Sequence, residues 1–136
     1  MLTMDELKNY FAADRFAILT TGIEIISASP EKAVCRMPIK DIHLNAGNVV
    51  QGGAVFTLAD FAFAVAANSE GIITVSMSSN ISFLKPATGE YLTATATRIA
   101  KTRHSCLYEI YVGNDAGNTV AHCTMNGFIK NMPLIP

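Results

Sequence analysis

The sequence has few charged residues and few cysteines, and each shortage excludes a class of function. Charged residues make up 15% of the 136 residues and the formal net charge is −1, so the chain lacks the broad basic surface that binds nucleic acid phosphates. Its three cysteines, Cys35, Cys106 and Cys123, include no C-x-x-C pair. That pattern fits neither a disulfide framework nor a zinc site, and we expect small reduced thiols.

Several catalytic and nucleotide-binding motifs are also missing. There is no G-x-G-x-x-G and no G-x-S-x-G, so a dinucleotide-binding fold and a serine-hydrolase elbow have no support. Gly47 and Gly52 have the spacing of a phosphate loop, but Gly53 follows where that loop needs lysine. The three histidines are far apart and lack H-E-x-x-H spacing, which argues against a metal site. We expect no metal.

The chain also lacks a recognisable targeting or membrane segment. Its first residues, MLTMDELKNYF, include two acids and no long apolar region, so they do not resemble a signal peptide and a cytoplasmic location is expected. The apolar run from Ala54 to Ala67 is shorter than the roughly 20 residues of a membrane-spanning helix. The length predicts one domain over residues 1–136, with an N-terminal helical segment over 1–21. The mean hydropathy of +0.30 favours an oligomer.

The hydrophobic pattern predicts an α+β architecture. Thr3 and Glu6 make a capping box for a short first helix. Two β-rich runs follow over residues 22–39, and the residues from Gly52 to Ser69 are apolar on nearly every side, as in a buried helix. Four strand-like runs complete the chain. We expect an antiparallel sheet wrapped around one long central helix.

The first strand after that helix shows a regular alternation. The run IITVSMSSNISFLKP alternates apolar and polar residues, which predicts a strand with one buried face. The residues predicted on the apolar face are Ile73, Val75, Met77, Ile81 and Phe83.

Two features of the central helix suggest chemistry. Gly52 and Gly53 stand at its start, where free N–H groups and the positive end of the helix dipole can hold an oxyanion. Asp60 is the one carboxylate in the apolar run, and burying an ionised carboxylate is costly unless it is paired or neutralised. The alternatives are a plain glycine entry to a buried helix, and a core carboxylate satisfied by Thr57 or by a serine on the facing strand. Isolated buried acids favour the functional interpretation.

The spacing of these features has a consequence for assembly. Asp60 lies eight residues beyond Gly52, or roughly 12 Å along a helix. A base and an oxyanion donor must both lie roughly 3 Å from the reacting atoms. One copy of the helix cannot supply both to one substrate, whereas two antiparallel copies can. If both features are catalytic, the protein is a homodimer with two composite sites.

These residues resemble a known family. The segments LNAGNVVQGGAVFTLAD and VSMSSNISFLKPA are similar to the hotdog-fold acyl-CoA thioesterases, in their PaaI-like branch from the phenylacetate pathway. That branch typically carries L-N, H-G-G, L-x-D and then a strand ending in F-x-x-P. The resemblance extends over roughly residues 22–130 and implies hydrolysis of acyl-CoA or aryl-acyl-CoA thioesters, with no cofactor beyond the coenzyme A of the substrate.

The resemblance also implies roles for individual residues. Asn45 corresponds to the asparagine that helps polarise the thioester carbonyl, and Gly52 to the oxyanion-hole glycine. Asp60 corresponds to the acid from the opposite subunit that activates water or attacks directly, and Ser76 to a residue that orients the water. Gln51 replaces the usual histidine; its amide can donate a hydrogen bond but cannot act as acid or base near neutral pH.

The sequence gives weaker indications of which residues contact the substrate. Gly53, Phe56 and Met77 are the candidate substrate-binding residues, and Phe61 and Phe63 could join a pocket for an aromatic or medium-length acyl group unless they belong to the core. A basic cluster could attract the phosphates of coenzyme A or could be an ordinary solvated turn. Its members, with Lys85 as a further candidate, are Arg98, Lys101, Arg103 and His104.

The alternatives are a non-catalytic acyl-CoA-binding or sensing module and a hotdog dehydratase, against which Gln51 argues. A homotetramer built as a dimer of dimers stays open beside the homodimer. No nucleic acid and no membrane are expected as partners.

Overall fold

The elements follow one another in the predicted order. The computed structural model describes all residues from 1 to 136. The elements are α1 (Met4–Phe11), a π-helical turn (Phe16–Thr20), β1 (Glu24–Ala28), β2 (Lys32–Pro38), a 3-10 turn (Asp41–His43), α2 (Gly52–Asn68), β3 (Ile72–Phe83), β4 (Tyr91–Lys101), β5 (Ser105–Asn114) and β6 (Thr119–Pro133). No helix in the structure combines the length and the apolar character needed to cross a lipid bilayer.

The predicted capping box starts α1. The Thr3 hydroxyl accepts a hydrogen bond from the Glu6 N–H at 3.2 Å, and the Glu6 carboxylate accepts one from the Thr3 N–H at 3.0 Å. Two orphan N–H groups are thereby satisfied. Leu7 and Phe11 are the buried residues of α1. The Phe11 ring contacts the Phe61 ring edge-on, with the two ring centroids 5.3 Å apart. These contacts hold the N-terminal segment against α2.

The six strands form one antiparallel sheet in the order β1-β2-β4-β5-β6-β3. One face of the sheet packs on α2 and shares its hydrophobic core. Strand β3 runs back from the end of α2 and pairs only with β6. One long edge of β3 therefore has no strand beside it within the chain.

The alternation predicted for β3 is wrong in its first half. Ser76 pairs with Gly127 and Ser78 with Asn126, so two residues of β3 advance while β6 advances by one. Because this β-bulge adds one residue to β3, the alternation of side chains between the two faces of the sheet shifts by one residue at that point. As a result Thr74 and Ser76 share the α2-facing side with Ile81 and Phe83.

The prediction that α2 is buried on every side also needs correction. Most of its side chains are buried in the core, but one line of residues at helical spacing is only half-buried or exposed. We call this line the α2 stripe: Gly53, Phe56, Thr57, Asp60, Ala64 and Ala67. Asp60 lies at its middle, so the carboxylate is not in the core of the single chain.

Candidate active site

The loop before α2 is held rigidly at the helix entrance. Leu44 and Val50 form an isolated antiparallel bridge, and the Val50 N–H donates to the Ala87 carbonyl at 3.0 Å. The Gln51 N–H donates to the His43 carbonyl at 2.7 Å. The backbone that leads into Gly52 is therefore fixed on both sides.

Two N–H groups at the start of α2 have no acceptor within the chain. The Gln51 carbonyl accepts from Ala54 and Val55 at 2.9 and 3.1 Å, but no side chain caps the helix. The N–H groups of Gly52 and Gly53 have neither a backbone nor a side-chain partner. An uncapped helix N-terminus with free N–H groups is suited to hold a negatively charged oxygen.

Asn45 organises the same loop through its side chain. Its Oδ1 accepts from the N–H of Gly47 at 2.8 Å and of Val49 at 3.3 Å. Because two backbone donors fix this atom as the oxygen, the other terminal atom is the NH₂ group. No acceptor in the chain binds that NH₂ group, so it is free to donate to a ligand, as the predicted role of Asn45 requires.

His43 lies beside the entrance but is committed to the structure. It is 5% exposed, and its Nδ1 accepts from the Lys40 N–H at 3.0 Å. The proton is therefore on Nε2, which donates to the Thr21 carbonyl at 2.9 Å. With both ring nitrogens used, His43 joins the N-terminal segment to the loop and does not replace the histidine that is absent at Gln51.

Asp60 is half-buried and has no hydrogen-bond partner in its own chain. The hydroxyl of Thr57, the suggested partner, donates instead to the Gly53 carbonyl at 2.8 Å. Burial raises the pKa of the Asp60 carboxyl, and the negative charge of Asp14 raises it further. The interpretation of Asp60 as a satisfied core carboxylate is therefore wrong for the single chain.

The candidate residues fall into two groups. Asn45, Gln51, Gly52 and Gly53 meet at the helix entrance, whereas Asp60 lies eight residues along an unbroken helix, about 12 Å from Gly52. One chain therefore holds the donors and the carboxylate too far apart to act on one carbonyl carbon.

The remaining candidates lie on the exposed line of α2, on β3 or in the core. Phe56 belongs to the α2 stripe, one turn before Asp60. Ser76 and Met77 sit at the bulge of β3, and Met77 is 58% exposed. Ser76 and Asp60 share no hydrogen bond within the chain. Phe61 and Phe63 are 2% and 1% exposed, so these two belong to the core.

Phe83 is a site residue that the sequence did not identify. A Cβ built on Gly52 would lie 3.3 Å from Cζ of Phe83, so the Phe83 ring lies beside the helix entrance. The contact arises because β3 returns antiparallel to α2 and ends level with its start. The only sequence signal for a role of Phe83 was its place in the F-x-x-P segment.

The basic cluster lies near the C-terminal end of α2, away from Gly52. Acidic side chains there neutralise much of its charge. Glu70 forms ion pairs with Lys101 at 3.0 Å and with Arg98 at 3.5 Å, and Arg98 also contacts Glu31 at 3.5 Å. Lys85 is apart from this cluster, beside the pocket next to Gly52. No group of three or more His, Cys, Asp or Glu side chains is placed to hold a metal.

Comparisons with known proteins show what the chain is similar to. A family model described as the thioesterase superfamily matches residues 47–121. Acyl-coenzyme A thioesterase PaaI from Escherichia coli (strain K12) is 40% identical over 101 residues, which cover 74% of this chain and 72% of the relative. Human acyl-coenzyme A thioesterase 13 is 32% identical over 93 residues, 66% of each protein.

A solved structure shows the same fold over almost the full length. The structure of the E. coli PaaI protein from the phenylacetic acid degradation operon has a TM-score of 0.83 and 29% identity. The match covers 96% of this chain and 99% of that chain. The predicted α+β hotdog fold is thus confirmed.

Proposed function

The chain belongs to the thioesterase superfamily, in its PaaI-like acyl-CoA thioesterase branch, and we propose that it hydrolyses acyl-CoA or aryl-acyl-CoA thioesters to the free acid and coenzyme A. The observation that carries the proposal is the uncapped start of α2. There the N–H groups of Gly52 and Gly53 have no acceptor, beside the free NH₂ group of Asn45. These donors suit the oxygen of a thioester carbonyl as negative charge develops on it.

The proposed reaction uses Asp60 of the partner subunit. In one version the carboxylate takes a proton from water, whose oxygen bonds to the carbonyl carbon. In the other the carboxylate attacks that carbon directly, and water then hydrolyses the mixed anhydride. In both, the C–S bond breaks and the sulfur leaves as thiolate, which takes up the proton that the attacking water loses, so the overall change is thioester plus water to acid plus thiol.

The raised pKa of Asp60 supports the role of a base. A carboxylate with a higher pKa accepts a proton more readily from water, provided that it is still ionised at the working pH. Neither version needs a metal or a redox cofactor. Gln51 takes no part in proton transfer; its exposed amide can donate a hydrogen bond at the mouth of the site. Ser76 and Met77 lie at the bulge of β3, and we assign them to the side of the proposed active site that faces the partner subunit.

Two exposed surfaces support the homodimer that this chemistry requires. The α2 stripe is half-buried and apolar apart from Thr57 and Asp60. The free edge of β3 has no strand beside it, and exposed strand edges are normally paired or covered in native proteins. Antiparallel pairing of two α2 stripes covers the first surface and brings each Asp60 level with the partner's helix entrance, and a second copy of β3 beside the free edge would pair its backbone groups.

The location proposed is the cytoplasm. All three cysteines are unpaired and buried, and burial raises the pKa of Cys35 to about 12 and that of Cys123 to about 11. Free thiols are ordinary in a reducing compartment. Assembly of two dimers into a homotetramer is compatible with the proposal.

Release of free thiol from a panel of acyl-CoAs tests the proposed function. The parent protein is expected to hydrolyse at least one member, and Asp60→Ala to lose about 10²- to 10⁴-fold in rate, the usual contribution of a general base. Absence of turnover across aliphatic and aromatic thioesters would overturn the proposed activity. Full activity of Asp60→Ala would instead remove Asp60 from the mechanism.

A further inference from the structure

The segment that joins β3 to β4 supports the entrance of α2 through one backbone hydrogen bond. This segment, residues 84–90, contains no helix or strand, and we call it the β3–β4 connection. Its Ala87 carbonyl accepts from the Val50 N–H at 3.0 Å. Val50 is two residues before Gly52, whose N–H group is a proposed oxyanion donor. The position of that donor therefore depends in part on where the connection holds the Ala87 carbonyl.

The middle of the β3–β4 connection has few hydrogen bonds of its own. The N–H groups of Leu84 and Lys85 both donate to the Val120 carbonyl, which fixes the first two residues. Pro86 has no N–H group, and the N–H groups of residues 87–89 have no acceptor within the chain. The part of the connection around the Ala87 carbonyl is therefore held by groups outside it.

The turn between β5 and β6 supplies hydrogen bonds to this part of the connection. We call residues 114–118 the β5–β6 turn. Oδ1 of Asp115 accepts from the Glu90 N–H at 2.9 Å, and Nδ2 of Asn114 donates to the Thr88 carbonyl at 3.1 Å. The two side chains therefore bind the backbone of the connection on both sides of Gly89.

Two further features fix the geometry of this contact. Oδ1 of Asn114 accepts from the N–H groups of Ala116 and Asn118 at 3.1 and 3.0 Å, so the residue that binds the connection also stabilises the turn. Gly89 has φ +117°, a conformation that glycine adopts readily. A Cβ at this position would collide with Oδ1 of Asp115. The close approach of turn and connection therefore requires glycine at position 89.

Building on the proposed function, we infer that the β5–β6 turn positions the oxyanion donors, and that Asn114 and Asp115 are positioning residues of the reaction. The turn holds the connection, the connection holds the Ala87 carbonyl, and this carbonyl holds Val50 next to the helix entrance. Preorganised donors stabilise an oxyanion only at the correct distance, and a displacement of about 1 Å by a distant mutation can cost about 10²-fold in rate. Changes in the turn should therefore reach the chemical step at Gly52.

Asp115 is the position to vary because its side chain is exposed and outside the core. Asp115→Ala removes the acceptor for the Glu90 N–H, whereas Asp115→Asn keeps an acceptor oxygen. The hydrogen bond from Glu90 holds the pKa of the Asp115 carboxyl below its usual value, while the pKa of Asp60 is raised. Asp115 therefore stays ionised where Asp60 titrates, and Asp115→Asn should leave the acid limb of the pH profile in place.

Thr102→Ala is the matched control in another exposed turn. Oγ1 of Thr102 accepts from the Ser105 N–H at 3.0 Å, so this variant also removes one side-chain acceptor from a backbone N–H group. The turn between β4 and β5 lies near the C-terminal end of α2 and makes no hydrogen bond to the β3–β4 connection. A purely structural loss of one turn hydrogen bond should therefore affect both turns alike.

The experiment measures thermal melting and the kcat and KM of thiol release for the parent and the three variants. For Asp115→Ala we expect kcat to fall about tenfold while KM changes by less than about twofold, the pattern of an interaction made only in the transition state. Asp115→Asn should recover most of the kcat. Thr102→Ala should melt earlier than the parent but keep its kcat.

A double mutant tests whether the turn acts through the Gly52 donor. Gly52→Pro lacks that N–H group, so adding Asp115→Ala to it should cost clearly less than it costs in the parent, since residues that act together are not additive. The same loss in both backgrounds, or a parent-like kcat in Asp115→Ala, would overturn the inference. A parent that hydrolyses no thioester would overturn the proposed function as well, so the two failures are distinguishable.

Discussion

Asp60 and Gly52 lie on one unbroken helix, with the carboxylate about 12 Å from the free N–H group. Because α2 is continuous between them, no local movement of a side chain brings the two groups to one carbonyl carbon. Each group is nevertheless unsatisfied within its own chain. A second subunit that presents its Asp60 near this helix entrance would place the carboxylate and the free N–H group on opposite sides of one bound carbonyl.

The N–H group of Gly52 can be removed with little other change. Position 52 is the first residue of α2, where proline is well tolerated, and Gln51 has φ −54° and ψ 134°, which suit a residue before proline. We expect Gly52→Pro to fold normally and to lose about 10²- to 10³-fold in kcat, as for loss of one oxyanion donor.

Gly52→Ala is the control for the added Cβ atom. Its Cβ makes the same approach to the Phe83 ring but keeps the N–H group. Steady-state kinetics and thermal melting of both variants separate donor loss from crowding. Equal activity of the two variants would show that this N–H group has no part in catalysis.

Ionisation of Asp60 costs stability, because its pKa is raised in the folded chain. A group of this kind favours the folded state only while it is protonated, and the penalty grows as pH rises through the folded-state pKa. Asp60→Asn should therefore melt at a higher temperature than the parent at neutral pH, and the gap should close below the ordinary pKa of a carboxyl group. Melting curves between pH 3 and 8 measure this, with ~0.5 pH steps adequate for a single titrating group.

Asp14 provides a matched control for that prediction. Its carboxylate contributes to the raised pKa of Asp60 and caps the Ala17 N–H at 3.1 Å, a role that asparagine can keep. Asp14→Asn should lower the pKa of Asp60 and move the acid limb of kcat/KM to lower pH. An acid limb that stays in place, together with an Asp60→Asn variant less stable than the parent, would contradict the account of this carboxylate.

Asn45 is predicted to act through its NH₂ group alone. Asn45→Asp keeps the oxygen that accepts from Gly47 and Val49, so the loop should hold its shape. It replaces the free donor with a negatively charged oxygen that repels a developing oxyanion. We expect about a 10²-fold loss in kcat with little change in melting temperature; unchanged kcat would limit Asn45 to a loop-forming role.

Much of this fold could be predicted from sequence because local signals agree with it. The Thr3–Glu6 capping box and the apolar run of α2 both specify their elements without help from distant residues. The face of Ser76 could not be predicted, because the β-bulge that sets it depends on pairing with β6. The position of Phe83 beside Gly52 likewise follows from the path of β3, which no short segment encodes.

Phe56 is predicted to mark the two-fold axis of the proposed dimer. If Gly52 of one α2 is level with Asp60 of an antiparallel partner, the midpoint of the pairing is residue 56. Packed helix axes lie roughly 8–10 Å apart, which brings facing Cα atoms within the roughly 4.4–6.8 Å of a disulfide. Phe56→Cys should therefore form a covalent dimer on mild oxidation, whereas Ala64→Cys, on the same α2 stripe, should not.

The native thiols do not interfere with this test, since all three are buried. Non-reducing electrophoresis gives the cross-linked fraction. Efficient cross-linking of Ala64→Cys in place of Phe56→Cys would rule out the proposed helix register.

The most direct test of the composite site mixes two inactive variants. Asp60→Asn keeps the helix entrance, Gly52→Pro keeps the carboxylate, and a heterodimer of the two regains one complete site. Co-refolding equal amounts should yield about a quarter of the parent activity, because about half of the two-fold dimers are mixed and each has one working site of two. A mixture no more active than its separate components would contradict a catalytic site shared between subunits.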